Sequence, residues 1–199
     1  DVSTYEDYRE MLDKEDANID AVIVATPDWM HCEHTCACLR AGKHVFCEKP
    51  IDHDVNKTKE VLDVVKETGK KYQVGFNRRF DHNFAAAQKA VANAQIGDLD
   101  MLKICSRDPG APPVEYVMVS GGIFLDMTIH DFDMVRFMSG AEVDEVFAYG
   151  AVRVDPAIGE AGDIDTAVIS MKLNNGAIAV IDNSSEASSV SYNHLTLPT

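Results

Sequence analysis

Two groups of residues in this chain have the types and spacing that proton-transfer chemistry asks for. The first is Glu48-Lys49-Pro50, directly after the apolar run His44 to Cys47. It puts a lysine where a parallel strand should end, and open α/β sheets bind their ligands off that end. An ammonium there can stabilise a developing oxyanion and hydrogen-bond the same oxygen, an effect that is strongest where water is scarce. Proline fixes φ and removes a donor, and X-Pro bonds alone turn cis readily, so the Lys49-Pro50 bond is expected to be cis. The second group is Asp126, His130 and Asp133, at i, i+4 and i+7 of a helix that is otherwise apolar nearly all round. Burying three ionisable groups costs several kcal/mol each unless they are paired or face a polar cavity, so the stripe is expected to line a site. Histidine, with an ordinary pKa of about 6.5, suits removal of a hydroxyl proton near neutral pH. Asp126 is placed to orient that imidazole or to accept a ligand hydroxyl, and Asp133 to act as a hydroxyl ligand. The plainer alternatives are a surface lysine before a loop proline and a histidine paired with carboxylates for packing.

The elements that must position these residues are legible around them. Ser3 with Glu6 reads as a capping box for a helix to about Lys14. Ala21 to Ala25 is a fully apolar strand, the kind buried on both faces of a parallel sheet, and Thr26-Pro27-Asp28 ends it at the same edge as Lys49. A helix from about Met30 to Ala41, a strand at 44 to 47, a helix from 54 to 68 closed by Gly69, and a strand from Tyr72 to Phe76 complete an alternating α/β pattern. After Phe76 the character changes. An alanine-rich helix reaches about Ala94, a strand covers Met101 to Ser106, and a Pro- and Gly-bearing loop leads to the long helix, about Gly122 to Met138. Strands then follow at Val143 to Val154, Thr166 to Leu173 and Ala177 to Asp182, the last two joined by the hairpin signal Asn174-Asn175-Gly176. The expected architecture is part of a doubly wound Rossmann-type parallel sheet over residues 1–76, followed by an α+β domain with an open mixed or antiparallel sheet over 77–188.

Composition narrows the partners. With 18 Lys and Arg against 33 Asp and Glu, a net charge of −15 spread along the chain makes nucleic acid and anionic membranes poor partners. No apolar run approaches a membrane span, and five cysteines without framework spacing fit a reduced compartment, so a cytoplasmic location is expected. His31, Cys32, His34 and Cys36 have helical spacing that allows paired metal ligation. A closed zinc site wants four converging ligands, usually from two elements, and buried cysteine serves equally as a small hydrophobe, so no metal is expected.

Taken together, these residues resemble the Gfo/Idh/MocA oxidoreductases, from the start of the chain to about residue 188. Ala25-Thr26-Pro27-Asp28 with His31, then Ala41-Gly42-Lys43-His44-Val45 through Glu48-Lys49-Pro50, then Gly75-Phe76-Asn77-Arg78-Arg79-Phe80-Asp81, follow that family's nucleotide-domain pattern in order. Ser106-Arg107-Asp108-Pro109 and the stretch Gly121 to Asp133 look most like its inositol 2-dehydrogenases. The resemblance implies NAD-dependent oxidation of a cyclic polyol, myo-inositol foremost, to a ketone, with NADP not excluded and sugars as the alternative substrates. It implies Lys49, Asp126 and His130 as the catalytic set. It further implies Thr26, Pro27, Asp28, His31, Glu48, Lys49, Pro50, Asn77 and Arg78 around the cofactor, and Lys49, Arg107, Asp126, His130 and Asp133 around the substrate. His31 is expected near the nicotinamide ribose. The intact protein is expected to be a homo-oligomer.

No G-x-G-x-x-G occurs in the chain, nor the acidic ribose-binding residue that follows it. By resemblance, on the order of 60 residues, two strand-helix units of about 30, are expected before Asp1. Residues 189–199 depart from the family and read as a non-native tail. A chain so cut is expected to bind NAD negligibly, and an inert fragment is the non-enzymatic alternative.

Overall fold

The structure is a computed structural model that describes residues 2–185 and the backbone of residues 194–196. It contains two compact units, Asp1–Phe76 and Asn77–Thr199.

In the first unit, helix α1 (Tyr8–Lys14) begins at Asp7, whose carboxylate accepts from the Arg9 backbone N–H. The expected Ser3–Glu6 box therefore does not start the helix, because an aspartate one turn later does the same work at its N-cap. Strand β1 (Ala21–Val24), helix α2 (His31–Arg40), strand β2 (His44–Cys47), helix α3 (Val55–Thr68) and strand β3 (Tyr72–Val74) follow in alternation. The three strands are parallel in the order β1-β2-β3, with Val22 opposite Val45 and Cys47 opposite Val74. Asp54 caps α3 by accepting from the Asn56 N–H, and Gly69 ends it at φ +64°, a left-handed conformation that glycine adopts without strain. Val24, Val45 and Cys47 pack with Leu39, Val61 and Val64 as one core.

Strand β1 differs from the expectation of burial on both faces. Val24 is buried beneath the helices, but Ile23 is 73% exposed. Alternation along a strand sends Ala21 and Ile23 to the face opposite Val24, and those two residues stay exposed there. Cys32, Cys36, Cys38 and Cys47 are all buried in this unit. Burial pushes the Cys32 thiol up to about 12 and the Cys38 thiol up to about 11, so both stay protonated and serve as apolar filling. Among the described residues no three or more ligand side chains converge as a metal would need. No helix among them is long and apolar enough to cross a membrane.

The second unit opens with a tight turn at Asn77–Phe80 and helix α4 (His82–Ala92), capped by Asp81. Strand β4 (Met101–Arg107) and a short helix α5 (Val114–Val117) lead to a wide π turn at Phe124–Thr128, which runs into helix α6 (Ile129–Ser139). Then come β5 (Val143–Ala151), the short α7 (Pro156–Glu160), β6 (Thr166–Leu173), β7 (Ile178–Ser184) and β8 (His194–Thr196). The sheet order is β5-β6-β7-β4-β8, antiparallel throughout except that β4 and β7 run parallel. Leu102, Ile104, Ala167, Ile169, Met171 and Ile181 form the inner face, packed with Met134, Val135 and Met138 of α6. Strand β8 belongs to the segment 189–199 set aside from the sequence. Its backbone pairs with the outer edge of β4, with Thr196 opposite Lys103, and an open edge accepts any extended backbone. Residues 189–193 and 197–199 lie outside the described residues.

Candidate active site

In the first unit the chemistry-bearing residues sit on the two turns that follow β1 and β2. The Glu48 N–H donates to the Val24 carbonyl at 2.9 Å, which extends the pairing of the two strands to the start of the lysine motif. The Lys49-Pro50 bond is cis. His31, 2% exposed at the start of α2, lies between the turns: Nδ1 is 2.7 Å from the Pro50 carbonyl oxygen and Nε2 is 2.8 Å from that of Thr26. Burial works against a charged ring, but the Cys47 thiol and the two carbonyls outweigh it and raise His31 to about 9. A second tie joins the same turns, from His53 Nε2 to Asp28 Oδ2 at 2.8 Å. Thr26 Oγ1 lies 3.2 Å from His34 Nδ1.

These turns fit a dinucleotide. They stand together off the carboxyl ends of parallel strands, the edge where such sheets bind nucleotides. Gly75 keeps the backbone beside them narrow, since a Cβ there would lie 2.9 Å from a Glu48 carboxylate oxygen. Both ring nitrogens of His31 face backbone carbonyls, and the ring is buried between the two turns.

In the second unit the π turn decides which residues share a face. A π turn carries about one residue more than an α turn, so a spacing of four still keeps Asp126 and His130 on one face, while Asp133 is turned farther from Asp126 than in a regular helix. Asp126 and His130 are half-buried, and Asp126 accepts from the Tyr116 hydroxyl at 2.9 Å. Asp126 lines a cavity of about 80 Å³ with Asp108, Ser120, Ile123 and Asp163. Burial first, and then the Asp126 charge, push the Asp108 carboxyl above its ordinary value against the pull of Arg78. Asp163 accepts from the Ile123 N–H at 2.9 Å, and Gly122, at φ +77°, is the residue that admits its carboxylate so close.

Three expected ligands have other partners. Asp133 accepts from Arg79 at Nε, 2.8 and 3.1 Å, and at Nη2, 2.6 Å. Arg107 is likewise paired within the protein. Strand alternation turns Ser106 toward α6 and Arg107 to the opposite face of the sheet, where it bonds Asp182 of β7 at 2.7 Å. Arg78, expected beside the cofactor, donates to Asp131, a carboxylate that is fully buried. Asp131 also accepts from Ser106 Oγ at 2.7 Å and Asn183 Nδ2 at 2.8 Å, and Asn183 in turn accepts from Thr128 Oγ1 at 2.6 Å. This network anchors the junction of the π turn and α6, which carries His130. Sequence reasoning missed it, although Ser106 and Asn183, polar residues on the inner face of otherwise apolar strands, were the available signal.

A family model described as an oxidoreductase family with an NAD-binding Rossmann fold matches residues 1–76, and one described as the GFO/IDH/MocA C-terminal domain matches residues 84–197. The chain belongs to the Gfo/Idh/MocA oxidoreductases. Within that family it is 50% identical over 183 residues to a myo-inositol 2-dehydrogenase of Thermotoga maritima, covering 92% of this chain and 54% of that protein. It is also 50% identical over 171 residues to an inositol 2-dehydrogenase of Rhizobium meliloti, covering 86% of this chain and 52% of that one. The crystal structure of a Lactobacillus casei scyllo-inositol dehydrogenase with bound NAD(H) and scyllo-inositol superposes with a TM-score of 0.84 at 34% identity, over 94% of this chain and 56% of that one. The chain spans about half the length of the curated Gfo/Idh/MocA relatives it matches.

Proposed function

We propose that the full protein carrying this chain is an NAD-dependent dehydrogenase that oxidises a secondary alcohol of a cyclic polyol, myo-inositol to its 2-keto form. The turns Thr26-Pro27-Asp28 and Glu48-Lys49-Pro50, with Asn77, would hold the cofactor. Bound NAD supplies a hydride acceptor for the alcohol carbon. His130 takes the proton from the alcohol oxygen, a task for which imidazole is suited near neutral pH. Lys49 stabilises the developing alkoxide through its charge and a hydrogen bond to the same oxygen. Asp126 binds a neighbouring hydroxyl or orients His130, while Arg78, Arg79, Asp131 and Asp133 hold the scaffold beneath them.

The observation that carries this reading is the Glu48-Lys49-Pro50 turn at the carboxyl end of a parallel strand, in one chain with a half-buried His130 anchored by the Asp131 network. The likeness to inositol dehydrogenases supports the polyol as substrate. A homo-oligomer belongs to the same proposal. Phe147, Tyr149 and Val168 leave an apolar patch on the outer face of β5 and β6, 58%, 73% and 44% exposed. The test is reduction of NAD and of NADP by the full-length protein with a panel of inositols and sugars, read at the nicotinamide absorbance. The expected result is turnover with myo-inositol and NAD above that with any aldose. Absence of turnover with every polyol and sugar would overturn the proposal.

A further inference from the structure

We propose that His31 is a positioning residue, a buried imidazolium that donates from both ring nitrogens to the carbonyls of Thr26 and Pro50 and thereby fixes the backbone that carries Lys49. The inference rests on the catalytic role proposed above for Lys49.

A backbone carbonyl oxygen can only accept. A neutral imidazole has one N–H and one lone-pair nitrogen, so it can satisfy one carbonyl and must turn a lone pair toward the other. At His31 both ring nitrogens are within 2.8 Å of carbonyl oxygens, so both carry protons. Two features oppose a charge at this position: the ring is 2% exposed, and it lies on the first residue of α2, where the helix dipole disfavours a cation. Two short charge-assisted hydrogen bonds answer them. The ionisable neighbours acting on the ring and feeling it are the Cys47 thiol of β2 and His34, one turn on in α2, which burial holds neutral.

The consequence is geometric. Thr26 closes the turn after β1 and Pro50 follows Lys49 in the turn after β2, and the two meet at one ring. The His53–Asp28 pair ties the same turns farther out, where both side chains are partly exposed. His31 is the buried tie, and it holds the carbonyl of the residue adjacent to Lys49. Without it the lysine keeps its charge and loses a fixed starting point for its side chain, which matters because electrostatic stabilisation of an alkoxide depends on preorganised position.

The test has two arms in the full-length protein. Nitrogen-15 spectra of the His31 ring at pH 7.5 are expected to show both nitrogens protonated, and a neutral tautomer would overturn the inference. In the kinetic arm, His31→Gln is expected to lower kcat about tenfold in the wild-type background and less than twofold in a Lys49→Ala background. An equal loss in both backgrounds, or no loss in either, would overturn it, because a residue needed only for folding costs the same whether or not Lys49 is present. If His31→Gln fails to fold, the spectrum of the wild-type ring decides. A Lys49→Ala variant with full activity would instead sink the proposed function, an outcome separate from either result at His31.

Discussion

Asp133 and Arg79 face each other in a two-pronged ion pair, three N–O contacts of 2.6 to 3.1 Å between a carboxylate that is 6% exposed and a guanidinium that also lies over the Phe137 ring at 5.2 Å. Each member answers the desolvation of the other. The pair ties the Asn77–Phe80 turn to α6, so Asp133 holds the helix from behind. Asp133→Ala is expected to lower unfolding stability by about 2–3 kcal/mol, less than for a fully buried pair because Arg79 is partly exposed. The Michaelis constant for the polyol should change by less than threefold. Urea unfolding and steady-state kinetics on the same preparation check both halves.

Asp131 is the more deeply set carboxylate, with Arg78, Ser106 and Asn183 all donating to it. Removing it leaves a half-buried guanidinium and two polar side chains without their acceptor. Asp131→Ala is expected to destabilise by about 3–5 kcal/mol, and Asp131→Asn by less, since it keeps one acceptor oxygen. Thermal melting of the two variants beside wild type gives the ranking.

Lys49 and His130 carry the chemistry of the proposal. Replacing either by Ala in the full-length protein is expected to lower kcat by about 10² or more with little change in NAD affinity. Calorimetric titration with NAD and initial rates with myo-inositol read the two quantities separately. Unchanged rates in both variants would return both residues to structural roles.

The pH dependence of stability follows from His31. Its folded pKa is raised from about 6.5 to about 9, so its contribution is fully present below pH 6.5 and is lost as pH rises through 9. The first unit should therefore lose on the order of 2 kcal/mol between pH 6.5 and 9. His34 runs the other way: burial lowers its pKa, and its contribution is lost as pH falls through the lowered value. Denaturant midpoints from pH 6.5 to 8, below the range in which the buried thiols begin to contribute, are expected to decline in wild type and to stay level in His31→Gln.

The sequence by itself determined what depends on neighbours along the chain. Strand β2 and its exit into Glu48-Lys49-Pro50, the Asp54 cap and Gly69 stop of α3, and the Asn174-Asn175-Gly176 hairpin were all legible, because periodicity, capping and turn chemistry act within a few residues. The run from Asp126 to Asp133 was likewise recognisable as a buried helix rich in ionisable groups. Only the tertiary structure decided what each of those groups does. Asp133 is claimed by Arg79, 54 residues away, and Asp131 by Arg78, Ser106 and Asn183, 53, 25 and 52 residues away. The π turn shifted the helical phase between Asp126 and Asp133, strand alternation put Arg107 on the far face, and His31 found its partners in two turns that the sheet brings side by side. A carboxylate or an imidazole has the same local signature whether it meets a substrate or a distant partner. The choice is made by long-range packing, which decides which donors and acceptors are left to satisfy one another once water has been excluded.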